Sequence, residues 1–195
     1  MKLLKAASMF LMAGLLGTNA LAMVEVNGVR FEDTTELHGS KLLLNGAGTR
    51  YKGPFKVYAA GLYLGQKATS LDEVVNVPGP KRLTVTMLRS IDARELGKLL
   101  TRGIEDNMGK TEMSKLVTGL VRMGEMFASH KTLAAGDQFL VDWVPGQGSV
   151  ITVRGQVQGD PFKEPEFFRA LMSIWLGPTP AYWKLKDELL GGKTN

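Results

Sequence analysis

The sequence predicts an α+β protein: a mainly antiparallel sheet packed against a layer of helices. Three observations carry this. Apolar and polar residues alternate at period two through 24–31, 55–64 and 81–88, the spacing of strands with distinct faces. From about residue 92 to 130 the period becomes that of helices. Strands and helices therefore come in segregated runs, not in the alternation that winds a parallel sheet.

Each element has its own signal. Val24 to Phe31 alternates around Asn27-Gly28, a pair suited to a tight hairpin turn. Lys41 to Leu44 reads as a strand running into the glycine-rich stretch Asn45 to Gly48, and Phe55 to Leu64 as a long strand. Ser70-Leu71-Asp72-Glu73 is a capping box that opens a short helix. Lys81 to Leu88 is β-branched and alternating. Asp92 and Glu95 cap a helix with Leu96, Leu99, Leu100, Ile104 and Met108 at helical spacing. A second helix begins near Thr111, carries Leu116, Leu120, Met123 and Phe127 on one stripe, and ends near His130-Lys131, where cations suit the terminal carbonyls. Gln138 to Val144 and Ser149 to Val157 read as strands on either side of a Pro-Gly-Gln-Gly turn. Glu166 to Leu176 and Ala181 to Leu190 close the chain as helices.

Composition narrows the function. None of the 195 residues is Cys, which excludes disulfides, zinc–thiolate sites and thiol nucleophiles. Two His leave too few imidazoles for a His-rich metal cage, so no metal site and no cofactor are expected. Lys2 and Lys5, the apolar run Ala6 to Leu16 and Ala20-Leu21-Ala22 have the form of a secretory signal peptide cut after Ala22. The expectation is a 1–22 signal, a single domain over 23–195, a periplasmic or secreted location and no membrane anchor after cleavage. Without Lys2 and Lys5, 22 basic residues face 19 acidic ones, and the net charge falls from +5 to +3. No run of Lys or Arg exceeds two, so nucleic acid is not an expected partner.

Most motifs fail on context. Gly46-Ala47-Gly48 would need a third glycine where Tyr51 stands, and it leads into a strand. Gly109-Lys110-Thr111 resembles the end of a phosphate-binding loop, but Ile104 occupies the position of the required glycine. His38 lies between strands and His130 at a helix end, and both read as surface or cap residues. The methionines Met108, Met113, Met123 and Met126 suit an adaptable pocket or plain core packing, and core is the simpler reading. Trp175, Tyr182 and Trp183 either shape a cavity or form the packed face of the closing helices.

One stretch is more informative. From Leu42 to Leu64 a strand is expected to end in a glycine-rich turn that delivers Arg50, and a second strand returns with Tyr58, Gly61 and Tyr63. An Arg there either points into water or, in an apolar cleft, holds a carboxylate or phenolate bidentately. The run Gly46-Ala47-Gly48-Thr49-Arg50, followed by Phe55-Lys56-Val57-Tyr58-Ala59-Ala60-Gly61-Leu62-Tyr63-Leu64, resembles the chalcone isomerase family, and its exported bacterial chalcone isomerase-like members in particular. The resemblance spans about Val24 to Leu190. It implies an open-faced sandwich with a ligand cleft between sheet and helices. In the family this cleft closes a chalcone or, in non-enzymatic members, binds a fatty acid.

On that resemblance Arg50 matches the family's anion-holding arginine and Asn107 its cleft asparagine. Tyr58 stands where the enzymes have a threonine, and Leu100 where they have a catalytic tyrosine. The late threonine or serine cannot be matched near Ser173 and Ile174. The anion anchor is kept while groups aimed at developing enolate charge are not. The implied function is non-catalytic binding of a small amphipathic anion, fatty-acid-like, by Arg50, Tyr58 and Asn107; no catalytic residues are assigned. Two alternatives stand beside it. One is an isomerase or intramolecular lyase in which Tyr58 supplies the hydrogen bond. The other is a structural or partner-binding envelope protein whose cleft is filled by its own side chains, with haem ligation by His38 or His130 as a minor variant.

Overall fold

The computed structural model describes residues 23–192. The expected signal segment 1–22 lies outside the described residues. Asn27 and Gly28, both at positive φ, join β1 (Met23–Val26) to β2 (Val29–Glu32) in a hairpin of its own. A second tight turn, His38-Gly39, joins β3 (Thr34–Leu37) to β4 (Ser40–Lys52), and exposed His38 is a turn residue. After β5 (Phe55–Leu64) come α1 (Leu71–Asn76), β6 (Lys81–Met87), the short β7 (Ile91–Asp92), α2 (Ala93–Glu105) and α3 (Lys110–Ala128). Then follow β8 (Thr132–Leu133), β9 (Gln138–Val144), β10 (Gly148–Val153), β11 (Gln156–Val157), α4 (Pro165–Leu176) and α5 (Trp183–Leu189).

Seven strands form one antiparallel sheet in the order β11-β10-β9-β6-β5-β4-β3. The helices pack on one face: α2 lies against α3 and α4, and α5 against β4. The fold is thus α+β, as the segregated order predicts. Both expected caps are present. Ser70 Oγ accepts from Glu73 N–H at 3.2 Å, and Asp92 Oδ1 accepts from Glu95 N–H at 2.9 Å.

Three readings are corrected. The strand expected at Lys41 to Leu44 does not end in a glycine turn at Asn45 to Gly48: β4 is continuous for 13 residues, with irregular register at Asn45 and after Arg50. Ser149 to Val157 is two strands, because Arg154 and Gly155 turn the chain at positive φ. On β5, Tyr63 does not accompany Tyr58. Tyr58, Ala60, Leu62 and Leu64 join the core under the helices, while Ala59 and Tyr63 join Phe31, Leu42 and Leu44 on the opposite face. The β1–β2 hairpin covers that second face, so β5 is buried on both sides.

The central methionines are core: Met123 is buried, and Met108, Met113 and Met126 pack partly buried against the same cluster. Across the hairpin-side face, directly opposed Arg82 and Asp142 make two hydrogen bonds of 2.7 Å that tie β6 to β9. This bidentate geometry is the strong form of the pair.

Candidate functional site

The glycines before Arg50 place a helix. A methyl group at Gly46 would overlap the carbonyl oxygen of Glu188, and one at Gly48 would overlap the Glu188 carboxylate. Without side chains there, α5 lies directly on β4. Two bonds fix this docking, and a third, to Ala68, ties β4 to the segment before α1. Asn45 Nδ2 donates to Leu189 O at 2.7 Å and to Ala68 O at 2.9 Å, and Thr49 N–H donates to Glu188 Oε2 at 3.2 Å. Glu188 is buried, and desolvation raises its carboxyl above the usual range, against the lowering effects of Thr49 and Lys184.

Two residues beyond Gly48, Arg50 pairs in register with Tyr58 of β5. Its guanidinium carbon lies 5.9 Å from the centre of the Tyr58 ring. Both residues line a cavity of about 230 Å³ between the sheet and the helices. Its α2 wall carries Leu96, Leu99, Leu100, Arg102 and Gly103; Ile91, Asp106 and Ile174 contribute, and Thr179, Pro180 and Ala181 close it from the loop between α4 and α5. Leu100, in the position the resemblance gives to a tyrosine, is therefore part of the wall. Among the described residues the Arg50 guanidinium has no hydrogen bond or ion pair, and its neighbour is the Tyr58 ring.

Tyr58 is buried, and its hydroxyl accepts from Trp175 Nε1–H at 2.9 Å. Desolvation pushes its pKa up to about 12, with Arg50 and Trp175 pulling the other way. It is a neutral phenol at ordinary pH. Its oxygen is engaged by Trp175, so its proton is left to donate. Trp175 supports the site from the core rather than lining it, a role that a buried aromatic at helical spacing does not reveal.

Asn107 does not line this cavity. Its Nδ2 donates to Gly103 O and to Thr179 O, both at 2.8 Å, and its Oδ1 accepts from Thr179 N–H at 2.8 Å. The amide ties together two residues that do line the cavity, Gly103 of α2 and Thr179 of the loop after α4. Arg50 and Tyr58 are thus brought together, and Asn107 stands behind the wall. His130 Nε2 bonds Gln158 Oε1 at 3.1 Å, away from the cavity lining.

The family model described as chalcone isomerase-like matches residues 23–191. The chain belongs to the chalcone isomerase-like family. Among solved structures it is similar to the crystal structure of an Arabidopsis thaliana fatty-acid binding protein, with 15% sequence identity and a TM-score of 0.67 over 84% of this chain and 92% of that one. At that identity the likeness is one of fold. No curated protein matches the chain. Among the described residues no helix is long and apolar enough to cross a membrane.

Proposed function

We propose that this is an exported, non-catalytic chalcone isomerase-like protein that binds a small amphipathic anion, fatty-acid-like, in the cavity between sheet and helices. One observation carries the reading: Arg50, half-buried in a largely apolar wall, has no protein carboxylate or hydrogen-bond acceptor paired with it among the described residues. A planar guanidinium in such a wall matches a carboxylate bidentately, and Tyr58 can add a third donor. The structural likeness to a fatty-acid binding protein supports the same reading. The cavity volume of about 230 Å³ is below the roughly 300–1,000 Å³ of common ligand sites, which favours short chains.

Native mass spectrometry and calorimetry with a chain-length series of carboxylic acids test this. Saturable binding of a short or medium chain, weakened at least tenfold in Arg50→Ala, is the expected result; one buried charge-assisted contact is worth about 1.5–3 kcal/mol. Binding unaffected by Arg50→Ala refutes the reading. The exported location is tested separately by fractionation and by the N-terminal sequence of the isolated protein, expected to begin at Met23.

One observation favours a second reading. Tyr58 shares the cavity with Arg50 and keeps a proton to donate, which an enone-polarising acid requires. Loss of chalcone absorbance faster than in buffer, and slowed in Tyr58→Phe, would establish an isomerase. A rate equal to buffer removes that reading for that substrate.

A further inference from the structure

One end of the molecule carries charge and aromatic surface that play no part inside the cavity. It is formed by the turn between β4 and β5 and by the start of α5. Lys52 pairs in register with Phe55 at the mouth of the turn, and residues 52–56 are all exposed. One pair further in, Tyr51 opposes Lys56, and its ring centre lies 6.0 Å from that of Tyr182, the residue before α5. Tyr182 and Trp183 therefore sit at the same end as the turn. Among the described residues the exposed large aromatic side chains are Phe55 and Trp183, at 57% and 60%. Each has a cation beside its ring. Arg89 Cζ is 5.0 Å from the centre of Phe55, and Lys186 Nζ is 5.0 Å from that of Trp183.

The charge of this end is one-sided. Residues 50–56 and 177–186 hold five basic residues and no acidic one, and Arg89 is a sixth. Without these six, 16 basic residues face 19 acidic ones after Ala22, so the positive excess of that stretch lies here. Among the described residues no carboxylate pairs with Lys52, Lys56 or Arg89. Carboxylates that border this end are engaged: Glu25 lies 3.8 Å from Arg30, and buried Glu188 accepts from Thr49 N–H. Exposed rings with cations beside them suit the boundary of a bilayer, where rings sit at headgroup level and cations reach the phosphates. We infer that this end of the protein docks on an anionic lipid surface. Phe55 and Trp183 enter the headgroup layer, and Lys52, Lys56 and Arg89 meet the phosphates. Arg50 and Ala181, the neighbours of Tyr51 and Tyr182, line the cavity, so docking brings that cavity close to the bilayer. The docking itself does not depend on what the cavity holds.

The test is flotation of the protein with phosphatidylcholine vesicles, with and without phosphatidylglycerol, alongside tryptophan fluorescence. Binding should be at least tenfold tighter with phosphatidylglycerol and should weaken as salt rises. Emission should shift to the blue and be quenched by lipids brominated on the acyl chain. Trp183→Phe should keep the binding and lose most of that quenching, because Trp175 is buried and Trp143 packs on Phe168. Phe55→Ser combined with Trp183→Ser should weaken binding at least tenfold. Lys52→Gln, Lys56→Gln and Arg89→Gln together should remove the preference for phosphatidylglycerol. Val117→Ser with Val121→Ser, similarly exposed but on α3, should change nothing. Four results overturn the inference: no binding, equal binding to both kinds of vesicle, loss with the α3 valines instead of the aromatics, or a dimer in light scattering held together by Phe55 and Trp183. Quenching of the wild-type protein, assigned through Trp183→Phe, decides the matter even if the serine variant fails to fold.

Discussion

Lys81 has an awkward position for a cation. It is 3% exposed at the start of β6, donates to Gly79 O at 3.2 Å, and lies 5.9 Å from the Phe168 ring. Among the described residues no carboxylate pairs with it. Burial pulls its pKa down to about 8 from the ordinary 10.5. Below pH 8 the amine is charged in both folded and unfolded chains. Between about 8 and 10.5 the unfolded chain binds more protons, so this residue's contribution to stability rises with pH. Lys81→Met is expected to stabilise the protein at pH 7 by about 1–2 kcal/mol and to remove that rise, as read from denaturant midpoints at pH 7 and 10. Tyr58 and Tyr63, both pushed up to about 12, act in the opposite sense. Their contribution is intact below pH 10 and is lost as pH climbs from 10 through 12. Tyr58→Phe strands the buried Trp175 N–H and should cost about 1–3 kcal/mol, measured in the same way.

At the scale of elements, β4 joins two tasks: Gly46 and Gly48 seat α5, and Arg50 reaches the cavity. Gly48→Ala should therefore destabilise by about 1–3 kcal/mol and loosen the C-terminal helix, a change visible in amide exchange of 183–189. The sequence marked this stretch as special but pointed to the wrong cause. A glycine pair in an apolar run fits a tight turn as well as a close backbone approach. The approaching group, Glu188, lies some 140 residues on, beyond any local pattern. Local signals were reliable where a few neighbouring residues determine the result, as at the Asn27-Gly28 turn and the Ser70 and Asp92 caps. They failed for β5, whose two-sided burial depends on a hairpin folding back over the sheet.

For the whole molecule, occupancy of the cavity should appear as stability. A ligand that binds only the folded chain adds about 2.7 kcal/mol at one hundred times its Kd. For a domain of this size that corresponds to a Tm rise of roughly 5–11 °C, and Arg50→Ala should lose it in differential scanning fluorimetry. Half of the candidate site was legible because a single pairing creates it: Arg50 and Tyr58 face each other on neighbouring strands. The remainder was not. Asn107 acts through Thr179, and Trp175 through the far side of Tyr58, and both contacts arise only when the helical layer closes over the sheet.

The Asn107 clamp makes one side of the cavity a hung panel held by a pin. Its side chain ties the end of α2 to the loop after α4, and that loop supplies Thr179, Pro180 and Ala181 to the lining. Asn107→Ala removes the pin. Amide exchange at Thr179 and Ala181 should then quicken while β4 and β5 stay protected.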